Sequence, residues 1–251
     1  MSPEQEFEQR LDVHRRDSKS CAIFLYTLLT THTLAGSDFG LFDRVNAHAG
    51  FWNGTLAGLQ AAAYIALGRI YDPNDSNYNA LALLAYTKEH FGIFSRSALQ
   101  ARKIRVGMSP DDAMRYVSQA FEEYEPKRTD LAPLQSALNE QREVYVTKVQ
   151  PIRHEVFAHS GRLTPEDRDR LFAKPFDREL ERLVVFALQL HDALFQFCHN
   201  GTRPQLRDAP SNVVEMLRDP VPPNTSTWEQ RHVVTDTAKF LASLGPHDNA
   251  T

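Results

Sequence analysis

Arg153 and His159 stand at the two ends of the run RHEVFAH, with five residues between them, in a stretch whose other members are largely apolar. A guanidinium is a rigid fork of donors suited to anionic oxygens, and imidazole is the side chain that gives and takes protons near neutral pH. Together they are the parts of an acid–base reaction on a charged group. Placed on a helix at roughly 100° per residue, Tyr145, Val149, Ile152 and Val156 form an apolar stripe with Val146 and Phe157 beside it. Arg153 and His159 fall on the two edges of that stripe and would border whatever packs on it.

Positions three and four away from Arg153 (Val149, Gln150, Val156, Phe157) carry no carboxylate, so its partner must be distant in sequence or a ligand. His159 is expected in the last helical turn, where the dipole favours imidazolium, and Glu155 lies four residues earlier to hold the ring. His154 points away from the stripe, towards solvent. The ordinary reading stands beside the chemical one: an arginine at a stripe edge can snorkel to water or pair with an acid on a neighbouring helix.

Other chemistries fail on spacing. HEVFAH is not H-E-x-x-H, and His154 and His159 lie too far apart around a helix to share a zinc ion, so no metal site is expected. A di-iron bundle needs paired E-x-x-H motifs, and Glu229/His232 alone fits. No P-loop, dinucleotide fingerprint, G-x-S-x-G or C-x-x-C is present, and no cofactor is expected.

The elements that must position these residues are helices, with no alternating β-branched runs between them. Ser2-Pro3-Glu4-Gln5 is a capping box with proline at the first helical position, opening a long helix towards Gly36. Further helices are expected at about 53–72, 77–91, 95–106 and 110–124, then a long one at about 129–160, a short one near 165–172 and a strongly amphipathic one that stops at Gly201. The stripe of that last helix (Leu180, Leu183, Val184, Ala187, Leu190, Leu194) predicts deep burial. Prolines recur from Arg203 to Ser226, reading as a linker with one turn of helix at 211–218, followed by a helix at about 227–244. The expected architecture is an all-α bundle of about four long helices with shorter ones around it, residues 1–202, and a proline-rich linker with a C-terminal helix, residues 203–251.

Composition bounds the partners. With 42% hydrophobic and 24% charged residues and a net charge of −4, the chain reads as a soluble globular protein with no global field to recruit nucleic acid. Twenty-one of the twenty-eight basic residues are arginine, which suits phosphate locally. Cys21 and Cys198 lie in apolar helical stretches and read as core residues of a reducing compartment. The N-terminus has no signal-peptide core and the stretch from Leu56 to Leu67 is too short to span a bilayer, so the sequons at Asn53, Asn200 and Asn224 carry no meaning and a cytoplasmic location is expected.

Arginine, five residues and histidine near the end of a long helix resembles the R-x(4–6)-H signature of the HEPN superfamily (higher eukaryotes and prokaryotes nucleotide-binding). Two further features look like its AbiU-like, abortive-infection branch. One is a helix ending in a Leu-Gly-Arg-x-x-Asp element, residues 67–72, followed by another amphipathic helix. The other is the order of that pair, the FSRSALQARK segment, the motif helix and a long closing helix, over about residues 5–205.

The resemblance implies a dimeric all-α bundle with the two motifs facing across a two-fold axis, and metal-independent endoribonuclease activity in toxin–antitoxin or antiphage systems. RNA, a second copy of the chain and an antitoxin protein are the implied partners. Arg153 and His159 are the implied catalytic pair, with His154, where the family commonly has Asn or Asp, and Glu155 in support. Lys148 and Arg162 flank the motif and could hold the RNA backbone; solvated charge is the other reading. Arg69 and Asp72, three residues apart, are expected to pair on their helix surface in a structural or second-site role. The alternative to the nuclease is a non-catalytic helical module that binds RNA, a nucleotide or a protein in the same cleft.

Overall fold

The computed structural model describes residues 1–72, 78–154, 177–207, 212–218 and 228–244. All regular structure among them is helical. Helix α1 (Pro3–Ser37) is the axis of the bundle, 35 residues or about 50 Å long. It starts where the sequence says: the Ser2 hydroxyl accepts from the Gln5 amide, and the Gln5 side chain accepts from the Ser2 amide. Helices α2 (Phe39–Ala47), α3 (Ala49–Tyr71), α4 (Ala80–Glu89), α5 (Arg96–Arg105) and α6 (Pro110–Glu123) come next. The motif helix begins as α7 (Ala132–Val144), winds through a π turn (Tyr145–Val149) and continues as α8 (Gln150–Ile152). Helix α9 (Asp177–Asn200) closes the bundle, and α10 (Val213–Arg218) and α11 (Trp228–Ser243) return along α1.

One continuous core joins α1, α3, α4, α7 and α9, with Cys21 and Cys198 both buried in it as free thiols. The expected stripe of α9 is wholly buried, and the helix ends at Gly201, whose φ of +68° only glycine adopts without strain. At one end Phe7, Phe94 and Phe197 stack into an aromatic knot, with Phe94 and Phe197 ring centroids 4.2 Å apart. The C-terminal helix docks: Val234 and Leu241 are buried, and the Gln230 amide donates to the buried Tyr26 hydroxyl on α1 at 2.5 Å. Helix α10 is tied down too, because the Val213 amide donates to the buried Glu181 carboxylate on α9 at 2.8 Å. Burial pushes the Glu181 carboxyl up to about 7, partly offset by that amide. None of the described helices is long and apolar enough to cross a membrane.

Two elements differ from the sequence expectation. Helix α2 was not anticipated; its start is written in Asp38, whose carboxylate accepts from the Leu41 amide, and α3 consequently begins at Ala49 rather than near 53. The motif helix is not a uniform α-helix. Pro151 has no N–H to offer the Thr147 carbonyl and its ring crowds that carbonyl, so the winding widens, with the Gln150 amide donating to the Tyr145 carbonyl five residues back. The short helix expected near 165–172 lies outside the described residues.

Candidate functional site

The π turn changes the phase on which the helix-wheel expectation rests, because one turn holds an extra residue. Tyr145, Val149 and Ile152 are buried as expected, but they pack inside the chain, and Val146 is exposed. Among the described residues the stripe therefore packs within the bundle. Arg153 turns further inward than an edge residue: its side chain is 17% exposed, the partner carboxylate 3%.

That partner is Asp72, 81 residues away in sequence, whose Oδ2 accepts from Arg153 Nη2 at 2.6 Å and from Gln150 Nε2 at 3.3 Å. The backbone around Asp72 is fixed as well. It is the cap residue at the end of α3, its amide donating to the Gly68 carbonyl, while Asn79 donates to the Asp72 carbonyl at 3.0 Å and caps α4 by accepting from the Ala82 amide. Tyr71, next to it, stacks on Tyr145 and donates its hydroxyl to the Leu183 carbonyl on α9. The corner between α3 and α4, the π turn and α9 thus hold the carboxylate as one unit.

Gly68 completes the seat. A Cβ there would come within 2.1 Å of Arg153 Nη1 and 2.9 Å of its Cδ, so the arginine lies directly on the glycine backbone. His154 is half-exposed, as a residue pointing off the stripe should be, yet its ring faces the pair: Nε2 lies 3.1 Å from Arg153 Nη2 and 3.8 Å from Asp72. Arginine has only donors, so in a hydrogen bond between the two Nε2 is the acceptor.

The family model for HEPN AbiU2 matches residues 4–211. The chain belongs to the AbiU2 family of HEPN proteins. It is thus an abortive-infection-related HEPN module. No curated protein and no solved structure matches it significantly.

For this AbiU2 protein the Leu-Gly-Arg-x-x-Asp element now has a physical reading. Leu67 anchors α3 in the core, Gly68 clears space for Arg153, and Asp72 neutralises it. Arg69 does not pair with Asp72, contrary to expectation; it lies 3.7 Å from Asp17 on α1. The reason is that an i,i+3 pair needs helical backbone at both residues, whereas Asp72 leaves the spiral with φ −73° and ψ 119°. Lys148 meets Glu179 on α9, and that hydrogen bond holds the Glu179 carboxyl below its usual range. His159, Glu155 and Arg162 lie outside the described residues. Gln150 and Asn79 escaped the sequence reading, and Gly68 entered it only as a member of the Leu-Gly-Arg-x-x-Asp element, since each acts through a residue on another element.

Proposed function

We propose that this AbiU2 protein is a metal-independent endoribonuclease of a toxin–antitoxin or abortive-infection system, with Arg153 and His159 at its reacting centre. The observation that carries the proposal is the seating of Arg153, whose guanidinium lies on a glycine and donates to a buried carboxylate that the Gln150 amide also holds, instead of trailing into water. A guanidinium already held in place needs no reorganisation where negative charge develops on phosphorus oxygens.

In this reading His159 takes the proton from the ribose 2′-hydroxyl as that oxygen attacks phosphorus. The bond to the 5′-oxygen breaks, a second histidine from a partner copy protonates that oxygen, and a 2′,3′-cyclic phosphate remains. Arg153 stabilises the negative charge that grows on the oxygens of the pentavalent phosphorus. DNA lacks the nucleophile and resists.

A second reading, a non-catalytic module, draws on the same pair, because Asp72 gives Arg153 a structural occupation at the corner between α3 and α4. Induced expression in a bacterial host separates the two, comparing wild type with His159→Ala and Arg153→Ala while total RNA is monitored. Growth arrest with RNA cleavage, lost in both variants while each remains folded, supports the nuclease. Purified wild type that binds RNA without cutting it moves the assignment to the binding module.

A further inference from the structure

Leu67, Gly68 and Asp72 of the Leu-Gly-Arg-x-x-Asp element all act inside the bundle, whereas Arg69 faces solvent. Its side chain is 61% exposed and stands 3.7 Å from Asp17, longer than a hydrogen bond, and such exposed pairs contribute little to stability. Gly68 faces the motif helix and carries Arg153; Arg69 starts about 100° further round α3 and turns to the α1 side. Ile65 lies between those two directions, one turn back, and is exposed, so the surface from Arg153 to Arg69 meets solvent. Arg16 on α1 is 66% exposed and pairs with Asp12 at 3.2 Å. Burial raises the Asp17 carboxyl and both Arg69 and Arg16 oppose that rise, which places the two guanidiniums around one carboxylate. From Ala49 to Tyr71 α3 itself has no carboxylate to repel a phosphate, and Asp72 beyond it is buried against Arg153.

We propose that Arg69 and Arg16 form a phosphate track that holds the RNA strand beside the phosphate at Arg153, the strand crossing α3 over Ile65. The inference rests on RNA meeting Arg153, and it does not need that RNA to be cut. Arginine suits the role, because its planar fork gives paired donors to phosphate oxygens and keeps its charge at every physiological pH. The Cα atoms of Gly68 and Arg69 are about 3.8 Å apart, so the guanidinium seated on one and the side chain that starts at the other lie within a few nucleotides of a single strand. Asp17 competes with the strand for both arginines, and the looseness of its contact with Arg69 leaves that guanidinium free to turn to a phosphate. Contacts of this kind position the backbone and read no base, so the track adds affinity without sequence preference.

The test is fluorescence anisotropy of a labelled single-stranded 2′-O-methyl RNA of mixed sequence, which lacks the attacking hydroxyl and stays whole, with the full chain over a range of salt concentrations. The Arg16→Gln/Arg69→Gln variant is expected to bind about tenfold more weakly, with the slope of log affinity on log salt shallower by about 0.7 for each arginine removed. Asp17→Asn is expected to bind about threefold more tightly, a gain that a purely structural Arg69–Asp17 pair does not predict. Arg115→Gln, exposed on α6, should match wild type, and helical circular dichroism should be the same in all. Wild-type affinity and slope in the double variant overturn the track and leave the nuclease reading to stand on cleavage of unmodified RNA. Wild type that binds unmodified RNA without cutting it, while the double variant releases it, keeps the track and removes the nuclease. Wild type that binds no RNA at any salt concentration overturns both.

Discussion

The Arg153 guanidinium lies across the backbone of Gly68 and donates at 2.6 Å to Asp72, tying the motif helix to the end of α3. Neither contact is made by neighbours in sequence. The pair is nearly desolvated, so removing one member leaves a poorly compensated charge in a low-dielectric site.

Gly68→Ala is expected to displace Arg153, because the new Cβ cannot share space with Nη1 at 2.1 Å. Helix propensity improves slightly, but overpacking at a fixed seat costs about 1–3 kcal/mol. Chemical denaturation reads the loss. RNA cleavage, if the nuclease reading holds, should fall further in this variant than in an equally destabilised core variant such as Leu138→Ala.

Asp72→Asn keeps an acceptor for Arg153 but removes its charge, and breaking a largely buried pair from one side costs roughly 3 kcal/mol. A double-mutant cycle with Arg153→Met should show coupling of about 1–3 kcal/mol. Additive effects would mean that the pair contributes no stability of its own.

Stability should depend on pH through Glu181. Its folded pKa is raised to about 7 from 4.5, so the native state holds the proton more tightly and the contribution is full below pH 4.5 and lost as pH rises through 7. Linkage puts the change at roughly 3 kcal/mol. Glu181→Gln, which still accepts from the Val213 amide, should flatten that fall between pH 5 and 8. His14 works the other way: burial lowers it to about 4 from 6.5 while Nε2 donates to the Ala187 carbonyl, so stability present above pH 6.5 is lost as pH falls through 4. Denaturation midpoints from pH 4 to 8 for wild type and Glu181→Gln check both signs. An unchanged profile in the variant would exclude Glu181 as the source of the high-pH loss.

The C-terminal helix should behave as part of the bundle. Leu241→Ala is expected to cost about 2–4 kcal/mol in global unfolding, the usual range for a buried leucine. Gln230→Ala should cost about 1 kcal/mol, because Tyr26 on α1 loses a buried partner. Hydrogen exchange of the α1 amides near Tyr26 reports the coupling. If α1 protection were unchanged in Leu241→Ala, the docking would contribute nothing to the core.

By itself the sequence determined the helical class, the capped start of α1, the buried stripe of α9 and its stop at Gly201, and it singled out Arg153 and the residues 67–72 as unusual. These are local signals: periodicity, caps and left-handed glycine are properties of a few consecutive residues. Tertiary structure alone decided that Asp72 belongs to Arg153 and not to Arg69, that Gly68 is a seat, and that the tail after Arg203 returns to α1. It also decided the phase of the motif helix, because the Pro151-linked π turn shifts the residues beyond it around the helix axis relative to a uniform wheel. The pairing of Asp72 with Arg153 depends on where α3 stops, on Asn79 holding the corner and on how far the π turn unwinds the motif helix. Each is a relation between elements distant in the chain, and such relations exist only once the helices have packed.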